Sequence, residues 1–281
     1  MLNNKIFLKL FFVFFIISNQ FVFAQSNQVL DNQIIDVVEQ FVNMKNTKSD
    51  PGVKIIAFKV DSLYSVLLSN PNSFNDSLAP LKEYSSILTS DDGKVKIITW
   101  NIFFKTGEYF YYGYVQYLTG KENEFHFVKL LDKSAEINKP EMQDLLPEKW
   151  YGCLYYQIVT TKYKKEKLYT LLGWDGNSFI TNKKIIDVLT IRNGKVKFGA
   201  AFEIAGEKSK RVIFEYTNQA SMTLRWDERE KMIIWDHLAP ESPKYEGIYE
   251  FYGPDFTHDA VKFKKGKWLF QEDIYVENPK E

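Results

Sequence analysis

The sequence predicts an α+β protein that is mainly antiparallel β, with short N-terminal helices followed by a many-stranded antiparallel β body. Three observations predict this fold class. Near the N-terminus, apolar residues recur with helical spacing at Leu30, Ile34, Val37 and Phe41. From Lys94 onward, short runs rich in β-branched and aromatic residues alternate with turn sequences. Few stretches long enough for a crossover helix separate these runs, so neighbouring strands should pair antiparallel.

Residues 1–24 are expected to form a cleavable secretory signal peptide. Lys5 and Lys9 precede a short apolar run, and Val22 and Ala24 stand at the positions that a signal peptidase reads. The run is shorter than the roughly 20 apolar residues that a membrane-spanning helix needs. We therefore expect an exported protein, located in the periplasm, at the cell surface or outside the cell. No transmembrane span should remain after cleavage.

The composition narrows the classes of partner. The chain has 36 basic and 36 acidic residues, so no overall field attracts polyanions and nucleic acid is not an expected partner. Aromatic residues make up 16% of the chain, which is ample for a packed core and excludes global disorder. The single cysteine, Cys153, cannot form an internal disulfide and is expected to be buried.

The N-terminal segment, residues 25–90, is expected to be helical. Its first helix should cover residues 28–45 and end at the triplet Asp50-Pro51-Gly52. Residues 54–69 fit either a helix or a strand, and residues 77–88 fit a second short helix.

Residues 91–281 are expected to form the β-rich body. A helix is predicted over residues 134–146, with Ser134 as its cap and Pro147 at its end. The β body could be divided into two parts near residues 132–149. The dipeptide Asn193-Gly194 is a strong hairpin signal. The predicted strands cover 94–104, 108–118, 125–131, 151–161, 167–174, 183–191, 195–198, 211–216, 222–227, 231–235, 247–252, 260–263 and 267–274.

The sequence lacks the nucleophile elbow, the zinc-protease helix, the phosphate-binding loop and the Cys-x-x-Cys pair. One candidate site remains in two polar, loop-like stretches that contain Asp236, His237, Asp255, His258 and Asp259. If these stretches converge, their imidazoles and carboxylates could bind a divalent metal or act in acid–base chemistry. In the alternative interpretation, the aspartate of each stretch only accepts hydrogen bonds from its own loop and fixes the conformation of that loop.

A second candidate is the stretch Trp174-Asp175-Gly176-Asn177, which is similar to the start of a calcium-binding loop. The similarity ends at Phe179 and Ile180, where that loop requires a ligand and a glycine. A tight β-turn, in which Asp175 accepts hydrogen bonds from backbone N–H groups, is the simpler interpretation.

Aromatic residues are the third signal. They could pave a sugar- or peptide-binding face, although alternation along strands should place half of them in the core. The residues concerned are Tyr109, Phe110, Tyr111, Tyr112, Trp150, Tyr155, Tyr156, Trp174, Trp226 and Trp235.

Several stretches also resemble a family of exported bacterial β-rich proteins with no assigned function. They are residues 94–100, Trp150-Tyr-Gly-Cys-Leu-Tyr-Tyr156, Tyr169-Thr-Leu-Leu-Gly-Trp-Asp-Gly-Asn177, Arg211-Val-Ile-Phe-Glu-Tyr216 and Tyr252-Gly-Pro-Asp255. The resemblance covers most of the chain. It implies export and β structure, and it carries over no catalytic residue.

Two function classes follow from the sequence. The first is a non-enzymatic periplasmic or surface module that binds an envelope glycan, peptide or protein, or that is a structural part of an envelope assembly. The second is a hydrolase, metal-assisted or not, that uses residues 236–237 and 255–259. The sequence leaves open the ligand, any metal or cofactor, and the oligomeric state.

Overall fold

The computed structural model describes residues 28–120, 122–204 and 206–275. The predicted signal peptide lies outside these residues. The chain divides into two compact units, Met1–Tyr84 and Ser85–Glu281. The described part of the first unit is helical, and the second contains three mainly antiparallel sheets, which confirms the predicted α+β class. No helix within the described ranges is long and apolar enough to cross a membrane.

The N-terminal unit contains helix α1 (residues 28–46), helix α2 (Asp50–Ser69) and the single turn α3 (Asn72–Asn75). Helix α1 agrees with its predicted apolar spacing. The triplet at residues 50–52, however, begins α2: Ser49 caps this helix by accepting from the backbone N–H of Gly52 at 3.3 Å. Proline is tolerated in the first turn because its missing N–H would have no partner there. The ambiguous residues 54–69 are therefore helical.

The helix predicted over residues 77–88 is wrong. A 3₁₀ turn covers Ala79–Glu83, and strand β1 (Ser86–Thr89) follows it. Leu78, just before the turn, has a left-handed backbone with φ of 49°. This conformation breaks the helical path, and pairing with the next strand then decides the structure of residues 86–89.

The helix predicted over residues 134–146 is also wrong. This segment contains the 3₁₀ turns Ser134–Glu136 and Pro140–Met142, and a third turn, Pro147–Lys149, follows it. Its carbonyl groups bond to other parts of the body instead of to a helix. The buried guanidinium of Arg211 donates to the carbonyls of Pro140 and Gln143, and Leu145 forms backbone bonds with Phe198.

Sheet 1 has the strand order β1-β2-β3-β4, and sheet 2 has the order β11-β7-β6-β5 with β8 paired to β7. Sheet 3 has the order β10-β9-β15-β14-β13-β12, in which the β15–β9 pair is parallel. The remaining strands are β2 (Val95–Phe103), β3 (Tyr109–Thr119), β4 (Glu124–Leu131), β5 (Leu154–Tyr163), β6 (Glu166–Asp175), β7 (Thr181–Arg192), β8 (Lys195–Phe198), β9 (Phe202–Ile204), β10 (Glu207–Ser209), β11 (Val212–Thr217), β12 (Leu224–Asp227), β13 (Met232–Pro240), β14 (Tyr252–Lys264) and β15 (Lys267–Gln271).

Most strand predictions agree with these bounds, with some exceptions. The predicted strand 247–252 is wrong over residues 247–251, which contain the 3₁₀ turn Tyr249–Phe251. Strand β13 extends to Pro240, and strand β14 includes residues 253–259; both stretches were expected to be loop. Strands β9 and β10 were not predicted. The Asn193-Gly194 hairpin is confirmed, since both residues have positive φ, 50° and 72°.

Sheet 2 is the middle layer of the β body. Successive residues of a strand point to opposite faces of the sheet. Accordingly, Leu171 of β6 packs in a core with apolar residues of sheet 1, whereas Leu172 packs in a second core with residues of sheet 3. Ile185 and Ile186 of β7 divide between the two cores in the same way. Cys153, which the sequence predicts to be buried, lies in the first core.

Candidate functional site

A cleft of about 440 Å³ opens where β3 begins and β6 ends, between the edges of sheets 1 and 2. We call it the tyrosine cleft. Its lining combines phenol rings with carboxylate, amide and ammonium groups, and it includes Tyr109, Tyr111, Tyr151, Asp132, Asp175, Asn177 and Lys183.

Hydrogen bonds to Tyr111 and Asp175 join the two sheets at the base of the cleft. Tyr111 points from β3 towards sheet 2, and its hydroxyl donates to Asp175 Oδ1 at 2.9 Å. The backbone N–H of Gly176 in turn donates to the Tyr111 hydroxyl oxygen at 2.9 Å. A Cβ at Gly176 would lie 2.2 Å from the Tyr109 ring, so a larger residue does not fit there. The two sheets thus hold Asp175 and both tyrosines in fixed positions.

Side-chain hydrogen bonds hold the connection between β6 and β7, residues 176–180. Asp175 Oδ1 accepts from the backbone N–H of Asn177 at 2.8 Å. The Asn177 amide donates to Thr181 Oγ1 at 2.7 Å and to Glu215 Oε1 at 3.1 Å. Its oxygen accepts from Lys183 Nζ at 2.8 Å. Asp175 therefore accepts from a backbone N–H as predicted, but residues 176–180 form a five-residue connection rather than a tight β-turn.

Burial controls the protonation of the groups in the cleft. Burial raises the pKa of Asp175, and the hydrogen bonds from Asn177 and Tyr111 only partly oppose this rise. Burial also raises the pKa of Tyr111 and of Tyr151, so both phenols keep their protons at neutral pH. The cleft therefore presents hydroxyl groups in their neutral form next to a buried carboxyl group.

An exposed group of aromatic rings, the aromatic rim, adjoins the cleft. It consists of Phe103, Tyr109 and Phe179, of which Phe103 is 46% exposed and Phe179 is 57% exposed. The Phe103 ring lies 4.6 Å from the Tyr109 ring and 5.8 Å from the Phe179 ring, measured between centroids. Trp174, a predicted site residue, meets the Tyr109 ring edge-on at 5.6 Å and is half-buried.

Only part of the predicted aromatic face is found at this rim. Tyr109 belongs to it, whereas Phe110 points to the other face of β3 and contacts Phe104. Trp150, Tyr155 and Trp235 are buried in the cores. The sequence reasoning missed Phe103 and Phe179. A signal for Phe103 existed, because the predicted β2–β3 hairpin places it opposite Tyr109.

The predicted imidazole–carboxylate residues lie on paired strands, β13 and β14, rather than on loops. His237 Nδ1 lies 2.7 Å from Asp259 Oδ2, and His237 Nε2 lies 4.0 Å from Asp255 Oδ2. Separately, His258 Nε2 lies 3.3 Å from Asp236 Oδ1.

These residues form two groups on opposite faces of sheet 3. Asp236 is registered with His258, whereas Asp259 is registered with Trp235, and adjacent positions on a strand face opposite sides. A register shift between Asp236 and Leu238 lets His237 reach Asp259. In the described part of the chain, no three His, Cys, Asp or Glu side chains are arranged to hold a metal ion.

Asp259 contacts both His237 and the segment that follows β15. Its Oδ1 accepts from the backbone N–H of Asp273 at 3.1 Å, while its Oδ2 contacts the imidazole. The hydrogen bond with Asp259 raises the pKa of His237.

Comparison with known proteins identified no family and no similar protein. No protein-family model matches the chain, and no significant match was found among curated proteins or solved structures.

Proposed function

We propose that this protein is an exported, non-enzymatic module of the cell envelope that binds a glycan at the tyrosine cleft. The observation that carries the proposal is that the aromatic rim and the tyrosine cleft lie side by side. An exposed aromatic rim lies directly beside a cleft whose polar groups are fixed by the fold.

A sugar ring matches such an arrangement because it has an apolar face of C–H groups and an edge of hydroxyl groups. The rim supplies flat apolar rings on which the C–H face can pack. The cleft supplies donors at Tyr151 and Lys183 and acceptors at Asp175 and Asp132. Its volume, about 440 Å³, falls within the range of small-molecule sites, about 300–1,000 Å³.

The charge of the lining favours a neutral or amino sugar over an acidic one. Four carboxylates line the cleft, at Glu108, Asp132, Glu136 and Asp175, against only two ammonium groups, at Lys133 and Lys183. Lys133 is already paired with Glu136 at 2.7 Å. A uronic acid or phosphorylated sugar would meet net repulsion here.

Isothermal titration of the full chain with neutral and amino-sugar oligosaccharides tests this proposal. Replacing Phe103 or Phe179 by alanine should weaken binding by about two- to tenfold each, since an aromatic contact contributes about 0.5–1.5 kcal/mol beyond its buried area. The matched control is Phe256→Ala, because Phe256 is 95% exposed and lies outside the cleft. Equal affinity of the two rim variants and the control would contradict the proposal.

A second candidate function is acid–base hydrolysis at His237. One arrangement favours it: Asp259 holds one imidazole nitrogen, while the other faces Asp255 from a side chain that is 41% exposed. An orienting carboxylate behind an imidazole is the usual arrangement of a general base. Assays with chromogenic ester, phosphate and glycoside substrates should compare wild type with His237→Ala and with the control His126→Ala. Activity lost only in His237→Ala would favour hydrolysis, and inactivity of the wild type would remove it.

A further inference from the structure

A second cleft, of about 730 Å³, lies at the other end of the same two sheets. It opens where β3 ends at Thr119 and β7 ends at Arg192, whereas the tyrosine cleft includes Tyr109 at the start of β3. A strand rises about 3.3 Å per residue, so the two clefts are about 30 Å apart. They are therefore separate sites.

The second cleft is basic, although the chain as a whole is neutral. Its lining contains four cationic side chains, Lys94, Lys165, Lys167 and Arg192, and one carboxylate, Glu166. We call it the basic cleft. A concave surface lined by one sign of charge concentrates the field and attracts ions of the opposite sign.

Two of these cations are compensated within the protein. Arg192 pairs with Glu166 at 2.6 Å, and Lys167 pairs with Asp92 at 2.6 Å. The other two have no carboxylate partner among the residues that the structure describes. Lys94 donates only to the neutral amide oxygen of Asn123, and the Lys165 side chain is exposed.

Two hairpin tips in the lining of the basic cleft have open space beside them. Gly120 and Gly194 stand at the ends of the β3–β4 and β7–β8 hairpins. A Cβ added at either glycine would meet no atom within 4 Å, so the space beside both is open. The amides of Asn123 and Asn193 also line this space and add neutral hydrogen-bonding groups.

We propose that the basic cleft binds a phosphate monoester or inorganic phosphate through Lys94 and Lys165. The two uncompensated ammonium groups match the charge of a phosphate dianion. Each ammonium group is a compact point charge with three donors, which suits the oxygens of a phosphoryl group. The same chemistry occurs on a soluble phosphorylated sugar and on a phosphatidic acid headgroup, which are the two sources to be separated by experiment.

Titration of the full chain with inorganic phosphate, at low and at high sodium chloride, tests the proposal. Saturable binding is expected that weakens with salt, because Lys165 is exposed and Lys94 is partly exposed to solvent. Lys94→Gln and Lys165→Gln should each weaken binding by about two- to fivefold, the range for exposed charge pairs. The control is Lys59→Gln, which changes an exposed lysine of α2 outside both clefts. No saturable binding, or equal affinity of the three variants, would overturn the proposal.

Glucose 1-phosphate and vesicles with or without phosphatidic acid separate the two sources. Binding of the sugar phosphate alone assigns a soluble ligand, and binding of the phosphatidic acid vesicles assigns a lipid headgroup. Saturable binding of inorganic phosphate without binding of either assigns the free anion as the ligand, and binding of none of the three overturns the proposal. Phosphate binding should be unchanged by Phe103→Ala, so failure of glycan binding at the tyrosine cleft would be distinguishable.

Discussion

The ion pair between Arg211 and Asp187 leads to a sharp prediction about stability. Both side chains are buried between sheet 2 and the segment 134–149, with exposed fractions of 0% and 1%. Arg211 Nε lies 3.1 Å from Asp187 Oδ2, and its NH1 group donates to the carbonyls of Pro140 and Gln143. Replacing Asp187 by asparagine keeps the shape of the side chain but leaves the guanidinium without an anion.

The loss of one partner from a buried pair costs about 3–5 kcal/mol, because the remaining buried charge is uncompensated. With a urea m-value of about 3 kcal/mol/M, this change would lower the unfolding midpoint by about 1–1.7 M. Hydrogen exchange should also accelerate in residues 138–146, since Arg211 holds their carbonyl groups.

The matched control is Glu166→Gln, which removes the anion from the exposed pair with Arg192. Those side chains are 59% and 52% exposed, so the change should alter the free energy of unfolding by about 0–1 kcal/mol. If Asp187→Asn proved no more destabilising than Glu166→Gln, the buried pair would not hold this segment, and the reasoning would be refuted.

Three further predictions follow from single side chains. Since the hydrogen bond with Asp259 raises the pKa of His237, the stabilisation from this pair should be fully present below the unfolded pKa of about 6.5 and lost as pH rises through the folded pKa. Urea unfolding of wild type and His237→Gln between pH 5 and 9 measures this difference, and a difference independent of pH would contradict it. Tyr111→Phe removes the hydroxyl that bonds to Asp175 and to the Gly176 N–H, and should lower stability by about 1–3 kcal/mol in thermal or urea unfolding. A stability equal to wild type would show that these bonds do not join the sheets. Burial raises the pKa of Cys153, so the native protein should resist thiol labelling that the urea-unfolded protein undergoes at once; fast labelling of the native state would show that the first core opens.

Local sequence patterns predicted the elements whose structure depends on local rules. The apolar spacing of α1 and the Asn193-Gly194 hairpin are examples, because helical periodicity and positive φ act within a few residues. Residues 134–146 resemble a helix locally but do not form one. Their carbonyl groups bond to Arg211 and Phe198, which lie far along the chain.

The candidate site was predictable only in part, for a related reason. Asp175 was recognisable because turn chemistry identifies an aspartate after a strand. Phe103 could be inferred only from its position opposite Tyr109 in the predicted hairpin. Phe179 could not be inferred, because residue type does not show whether an aromatic ring faces the core or solvent. Likewise, polar residues around His258 suggested a loop, although backbone pairing with β13 makes them part of β14.

Saturation-transfer NMR with neutral and amino-sugar oligosaccharides of the cell envelope tests the central claim most directly. The proposed packing on the aromatic rim predicts transfer from the protein to the C–H protons of the bound sugar. This transfer should disappear when Phe103 and Phe179 are both replaced by alanine and persist in Phe256→Ala. The glycan-binding proposal would be contradicted if wild type showed no transfer, or if the signal were the same in both variants.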